Sequence, residues 1–156
     1  MAASNPDRDQ LEVEQAASAL NSGAIHLLRG LAAVDRQSGL TPSRLSALSV
    51  IVFGGPRSLG ALAAAEGVTG PTMTRIVDGL ASAGLAQRVP DARDGRLVVI
   101  EPTMAGENLM RAAAERRIAV IAAAIGSLRA ADRRRLMAAA GLLDQVATAV
   151  RDRGAG

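Results

Sequence analysis

The 156-residue chain contains no cysteine, tryptophan, tyrosine or lysine, and only one histidine and one phenylalanine. Without cysteine it can form neither a disulfide framework nor a thiolate metal site, and it has no thiol for redox sensing. The histidine, His26, falls on the polar side of the first predicted helix, so we expect no histidine metal cluster and no cofactor. These absences exclude several classes of enzyme and sensor.

Long apolar runs are also missing. Every hydrophobic segment is interrupted by a charge, glycine or proline before it reaches membrane-spanning length, and residues 1–9 are polar and acidic rather than a signal peptide. The chain has no glycine-rich phosphate loop and no nucleophile paired with a base, since its serines and threonines occur mainly at predicted helix starts. The sequence therefore predicts a cytoplasmic protein that is not an enzyme and does not bind a membrane.

Residues 58–80 divide into two short predicted helices at Gly67. Ser58 and Thr69 are typical N-cap residues, and Gly67 can adopt the positive φ that a tight turn needs. The second helix has an apolar face at spacings of three and four. This face comprises Val68, Met73, Ile76, Val77 and Leu80. The pattern is typical of a helix-turn-helix.

The opposite side of the second helix is small or polar and carries one arginine. Such a surface can enter a major groove, because hydroxyls can donate to phosphates or base edges and arginine pairs bidentately with guanine. The residues that we expect to face DNA from this helix are Thr69, Gly70, Pro71, Thr72, Thr74 and Arg75. Taken alone, the pattern also fits an ordinary helical hairpin with a solvated face.

The segment that follows favours DNA binding. Residues 85–89 and 97–100 are β-prone and flank a polar loop that contains glycine, which predicts a β-hairpin. Arg93 and Arg96 alternate with Asp91 and Asp94 at its tip. Guanidinium groups there can meet phosphates or a narrow minor groove, and the carboxylates can hold them in one geometry. A charged hairpin by itself is usually only a soluble turn, but a hairpin directly after a helix-turn-helix indicates a winged helix.

Several short motifs run through residues 59–106. They are Leu59, Leu62 and Ala63, the run 72–80, Gly84-Leu85, Arg88, the Asp-x-Arg-Asp-Gly-Arg sequence at 91–96 and the Thr-x-x-Gly sequence at 103–106. Together they resemble the MarR family, the multiple-antibiotic-resistance type of winged-helix transcriptional regulator. The resemblance implies that Arg75 reads the major groove, with Pro71 and Thr72 at its edge, and that Arg96 enters the minor groove, oriented by Asp94. Pro102 and Gly79 depart from the family's pattern.

The expected fold class is mainly α with a small β-hairpin wing (α+β). We expect one domain over residues 1–156, with a winged helix-turn-helix lobe at 41–102 and dimerisation helices at 10–38 and 103–152. Leu136, Leu143 and Val150 are in heptad spacing on the last helix, among small alanine-rich faces that favour close helix contact with a second copy. The sequence thus predicts a homodimer built by the first, fifth and sixth helices.

These features together predict a dimeric transcriptional regulator, a repressor that binds a pseudo-palindromic operator in double-stranded DNA. The resemblance implies a small lipophilic or aromatic effector between the dimerisation helices and the DNA-binding lobe. Its pocket residues are not specified by the sequence; Arg29, His26 and Ser46 are polar candidates in an otherwise aliphatic lining. The alternatives are a winged-helix dimer that acts through protein contacts without specific DNA binding, and a regulator of another winged-helix family. A regulator of another winged-helix family would be distinguished by whether both termini build the dimer.

Overall fold

The computed structural model describes residues 6–91 and 94–154. They form six helices and three short strands. In chain order these are α1 (Pro6–Arg36), α2 (Pro42–Gly54), β1 (Arg57–Ser58), α3 (Leu59–Ala65), α4 (Gly70–Ser82), β2 (Ala86–Pro90), β3 (Val98–Pro102), α5 (Met104–Gly126) and α6 (Ala130–Gly154). Among the described residues, no helix is long and apolar enough to cross a membrane.

The three strands form one antiparallel sheet in the order β1-β3-β2. β2 and β3 are the two strands of the predicted hairpin, with Arg88 opposite Ile100. β1 adds Arg57 to the other side of Ile100. The predicted fold class is confirmed, but β1 was not predicted, because a two-residue strand is too short to show an alternating pattern in the sequence.

Local sequence explains where the helix-turn-helix begins and turns. The Ser58 hydroxyl accepts the Ala61 N–H at 3.2 Å and caps α3, and Gly67 has a φ of +62° at the turn. Thr69 occupies the N-cap position of α4, but its predicted capping hydrogen bond is wrong. Its hydroxyl pairs instead with the hydroxyl of Thr72 at 3.0 Å. Pro71 lacks an N–H, so α4 offers fewer donors to a capping side chain.

The chain divides into two compact units, Met1–Arg117 and Ile118–Gly156. The first unit contains the hydrophobic core, in which α2, α3, α4 and the sheet meet. The predicted inward face of α4 is correct, since Met73, Val77 and Leu80 are fully buried and Val68 and Ile76 pack against them. The largest fully buried side chains of the other elements are Leu48, Ile51, Leu62 and Ile100.

The start of α5 closes against the beginning of the hairpin. Thr103 donates its hydroxyl to the Gly84 carbonyl at 2.6 Å and its N–H to the Leu85 carbonyl at 3.1 Å. The same hydroxyl accepts the Gly106 N–H at 3.1 Å, which caps α5. A Cβ on Gly106 would overlap the Leu85 carbonyl oxygen. The Thr-x-x-Gly motif therefore combines a helix cap with a close backbone approach.

The long terminal helices bury little of their own surface. Residues 7–30 of α1 are exposed throughout, including Leu20, Leu27 and Leu28. Among the α1 residues whose burial the structure describes, only Leu31 is buried. The second unit contains the end of α5 and all of α6. In α6, Leu136 and Leu143 remain substantially exposed.

Candidate nucleic-acid interface

The N-terminal half of α4 presents the predicted DNA-facing residues to solvent. Thr69, Gly70, Pro71, Thr72 and Arg75 are exposed. Within the part of the chain that the structure describes, the Arg75 side chain has no hydrogen-bond or ion-pair partner. A guanidinium in that state can contact a base or phosphate without first breaking an internal bond.

Thr74 differs from its neighbours on α4. It is half-buried, and its hydroxyl donates to the Gly70 carbonyl at 3.0 Å. This back-bond occupies the only proton of the hydroxyl. Thr74 is thus left as an acceptor, while the first-turn N–H groups of α4 carry no side-chain cap. Uncapped N–H groups at a helix N-terminus favour an anion such as phosphate.

The tip of the hairpin is held by backbone hydrogen bonds and two aspartates. The Asp91 N–H donates to the Leu97 carbonyl at 2.8 Å, and the Leu97 N–H donates to the Asp94 carbonyl at 2.9 Å. Asp94 accepts the Arg96 N–H at 3.1 Å. It therefore orients Arg96 through the backbone rather than through the guanidinium, which is exposed. Arg93 lies outside the described residues.

An ion pair joins the hairpin to α4. Arg88 of β2 donates to Asp78 of α4 at 2.7 Å, and both side chains are partly exposed. Such a pair contributes about 0–1 kcal/mol to stability, so its main effect is on orientation. In the sequence both residues stand out only as motif matches, because a contact between a helix and a following strand has no periodic signature. Asp78 and Arg88 thus link α4 to the first strand of the hairpin at one point.

Gly79 lies in the middle of α4. A Cβ at this position would overlap the guanidinium of Arg44, which belongs to the first turn of α2. The guanidinium is the far end of a flexible side chain and can move aside. Nothing in the structure therefore explains glycine at this position, which helix propensity disfavours.

A cavity of about 630 Å³ lies within the first unit, between the end of α1, α2 and α5. Its walls are mainly apolar and include Phe53, the only aromatic residue of the chain. Of the polar candidates considered above, Ser46 lines the cavity and Arg29 and His26 do not. The lining residues are Ala32, Asp35, Arg36, Leu40, Pro42, Leu45, Ser46, Ser49, Phe53, Met110, Ala113, Ala114 and Arg117.

A bidentate ion pair forms part of the cavity wall. Arg117 of α5 donates through Nε and Nη2 to the two carboxylate oxygens of Asp35 on α1, at 2.5 and 2.6 Å. These hydrogen bonds lower the pKa of Asp35 and raise that of Arg117, while burial opposes both shifts. The two residues are 82 positions apart, so sequence reasoning had no local signal by which to find them.

Comparisons with known proteins agree with this architecture. The MarR family profile matches residues 38–97. An uncharacterized HTH-type transcriptional regulator of Mycobacterium bovis is 35% identical over 127 residues, which cover 81% of this chain and 89% of that protein.

Solved structures show the same fold. A MarR family protein from Bacillus stearothermophilus aligns with a TM-score of 0.75 and 23% identity, over 93% of this chain and 99% of that one. The structure of NadR in complex with 4-hydroxyphenylacetate aligns with a TM-score of 0.62 and 22% identity, over 83% of this chain and 89% of that one. With a helix-turn-helix, an arginine-bearing wing and relatives that are regulators and not enzymes, the chain belongs to the MarR family of winged-helix, DNA-binding transcriptional regulators.

Proposed function

We propose that the protein is a ligand-responsive repressor that binds a pseudo-palindromic operator as a homodimer. The observation that carries the proposal is the state of Arg75. It lies near the N-terminus of α4, opposite the buried Met73 and Val77, and its guanidinium is exposed and without a partner among the described residues. In this position it can donate to guanine O6 and N7 in a major groove.

The wing supplies the second proposed contact. Arg96 extends from a tip whose backbone Asp94 holds, and Asp78 and Arg88 connect the wing to α4. A wing linked to α4 suits insertion of Arg96 into the adjacent minor groove, where a narrow groove has enhanced negative potential. We assign Arg93 the same role from the sequence. Thr69, Gly70, Pro71, Thr72 and Thr74 complete the proposed helix contacts at the groove edge.

Exposed apolar side chains support the homodimer. Leu136, Leu143 and Val150 on α6 are 41%, 43% and 65% exposed. α1 likewise leaves Leu27 and Leu28 in solvent. Apolar stripes of this kind on long helices indicate a surface that another protein covers, and a second copy is the occupant we propose. In this arrangement residues 41–102 form the DNA-binding lobe, and residues 10–38 and 103–152 form the dimer.

The cavity is the proposed effector site. Its volume of about 630 Å³ falls within the range of small-molecule pockets, about 300–1,000 Å³, and its apolar walls suit a lipophilic or aromatic body. NadR, which shares the fold, was crystallised with 4-hydroxyphenylacetate. A ligand that binds one conformation of the dimer more tightly than the other would change the affinity of the dimer for its operator. The largest possible change is the ratio of the ligand's affinities for the two conformations.

Selection of bound fragments from random double-stranded DNA tests the proposal. We expect two inverted half-sites with centres about 10 base pairs apart, since a compact two-fold dimer reaches successive major grooves. Arg75→Ala should abolish enrichment of that motif. Arg153→Ala, which removes the same charge from an exposed position at the end of α6, beyond the proposed dimerisation residues, is the matched control and should leave enrichment unchanged.

A single asymmetric half-site, or no enriched motif, would contradict DNA-sequence recognition by a dimer. The sign of regulation is tested separately with a reporter placed downstream of the selected operator. Reporter output should rise when the protein is removed, and a fall would identify an activator instead. Effector dependence is tested by adding 4-hydroxyphenylacetate to the operator complex and measuring the change in affinity.

A further inference from the structure

One serine connects the cavity to the helix-turn-helix. Ser46 of α2 is one of the residues that line the cavity, and its exposed hydroxyl donates to Oε1 of Glu66 at 3.0 Å. Glu66 is the C-cap residue of α3 and immediately precedes Gly67, where the chain turns toward α4. A change at Ser46 on the cavity side therefore reaches the turn through a single bond.

The bond from Ser46 to Glu66 is a singular link between α2 and the helix-turn-helix within the described part of the chain. Among the described residues, it is the only side-chain hydrogen bond that joins α2 to the helix-turn-helix segment 59–82. Otherwise α2 and this segment meet in the apolar core, to which both contribute fully buried side chains such as Leu48 and Leu62. Apolar contact is non-directional, whereas a hydroxyl has one proton and can donate it to one acceptor at a time.

We propose that Ser46 couples ligand occupancy of the cavity to the helix-turn-helix turn. A ligand whose carboxylate or phenolate oxygen accepts the hydrogen bond of the Ser46 hydroxyl displaces Glu66 as its acceptor and releases the turn. The inference rests on the cavity being the effector site, and it adds the ligand chemistry: an apolar body with a strong acceptor oxygen. Because coupling is reciprocal, operator binding that orders the turn weakens such a ligand by the same factor.

Ser49 provides a matched control on the same wall. It lines the cavity one turn after Ser46, but its hydroxyl donates to the Ser46 carbonyl at 2.7 Å, inside α2. A change at Ser49 therefore does not reach Glu66 through a hydrogen bond of its own. Removing each hydroxyl in a separate variant distinguishes a specific coupling through Ser46 from a general loss of cavity polarity.

The first test measures amide hydrogen exchange at residues 66–68 in the free protein. The Glu66 N–H donates to the Leu62 carbonyl at 3.1 Å and the Val68 N–H to the Ala63 carbonyl at 3.0 Å, so both report on opening of the turn. Ser46→Ala should accelerate this exchange about three- to tenfold, the change expected for one hydrogen bond. Ser49→Ala should not change it. Equal exchange in Ser46→Ala and the wild type would overturn the proposal.

The second test places an acceptor in the cavity covalently. Because the chain has no cysteine, Ser49→Cys carries a single thiol, and its Cβ lies about 5–6 Å from that of Ser46 across one helical turn. Labelling with a carboxyethyl methanethiosulfonate attaches a carboxylate within reach of the Ser46 hydroxyl, and a propyl reagent attaches an apolar group of similar length. The carboxyethyl adduct should accelerate exchange at the turn, and the propyl adduct should not.

In a Ser46→Ala background the carboxyethyl adduct should have no further effect. Equal responses to the two labels, or an unchanged carboxyethyl response without the Ser46 hydroxyl, would overturn the coupling. Neither readout uses DNA. A protein that fails to select an operator would refute the proposed function, whereas unchanged exchange would refute the coupling, so the two failures are distinguishable.

Discussion

Gly106→Ala is the sharpest test of how the start of α5 packs against the hairpin. Gly106 is the third residue of α5 and is buried. An added Cβ would lie far inside 3.0 Å of the Leu85 carbonyl oxygen, a separation that real Cβ atoms essentially never show, and at 3.3 Å from Leu48 Cδ1. A backbone carbonyl cannot swing aside as a flexible side chain can. The first turn of α5 must therefore move away from the start of the hairpin.

The cost follows from the bonds that this movement breaks. Thr103 joins α5 to the Gly84 and Leu85 carbonyls by two hydrogen bonds, at 2.6 and 3.1 Å. Each contributes about 0.5–1.5 kcal/mol, and overpacking in a core costs about 1–3 kcal/mol. Alanine is favoured over glycine in a helix by up to about 1 kcal/mol, which offsets part of the loss. We expect Gly106→Ala to lower the free energy of unfolding by about 3 kcal/mol.

Urea denaturation followed by circular dichroism measures this change, since the chain has no tryptophan to report by fluorescence. Gly60→Ala is the matched control. Gly60 lies in the first turn of α3, and no atom lies within 4 Å of an added Cβ. Gly60→Ala should raise the free energy of unfolding by up to about 1 kcal/mol through helix propensity. If both variants are stabilised, the close approach of α5 to Leu85 is wrong.

Three further predictions concern DNA, the dimer and pH. Arg75→Ala should weaken the binding free energy by about 1–3 kcal/mol on the selected operator and by far less on random DNA, whereas Arg96→Ala should weaken operator binding and also lower the slope of log affinity against log salt concentration by about one per lost contact and subunit. Titrations at several salt concentrations separate the two effects. Binding like that of the parent protein by both variants would refute recognition through helix and wing. Leu143→Asp should yield monomers or unfolded protein, since it buries an unpaired charge in the proposed interface. Analytical sedimentation measures this, and an unchanged dimer would contradict that interface. The pKa of Asp35 is lowered in the folded state, so its pair with Arg117 should stabilise the protein at pH values above the ordinary aspartate pKa. We expect a contribution of about 1 kcal/mol after allowance for solvent screening. This contribution should disappear as the pH falls through the lowered pKa. Urea midpoints of the wild type and Asp35→Asn should therefore converge at low pH, and a constant difference would show that the carboxylate charge is not responsible.

Some parts of the candidate site were predictable because their causes lie within a few residues. Ser58 caps α3 through its own first turn, and Gly67 adopts the positive φ that the turn demands. The apolar spacing along α4 showed which side is buried, and so left Arg75 on the other. Thr69 shows the limit of such reasoning, because Thr72 supplied an alternative hydrogen-bond partner for its hydroxyl.

Sequence alone determined the helix-turn-helix, the hairpin and the identity of the exposed arginines, because capping, turn conformation and apolar periodicity are local properties. Only the tertiary structure decided the pairing of β1 with β3, the ion pair between Asp35 and Arg117, and the bond from Ser46 to Glu66. Each of these joins elements that are distant along the chain, and each depends on how those elements cross rather than on local propensity. The cavity has the same origin, since its walls come from three helices whose separation no single segment encodes.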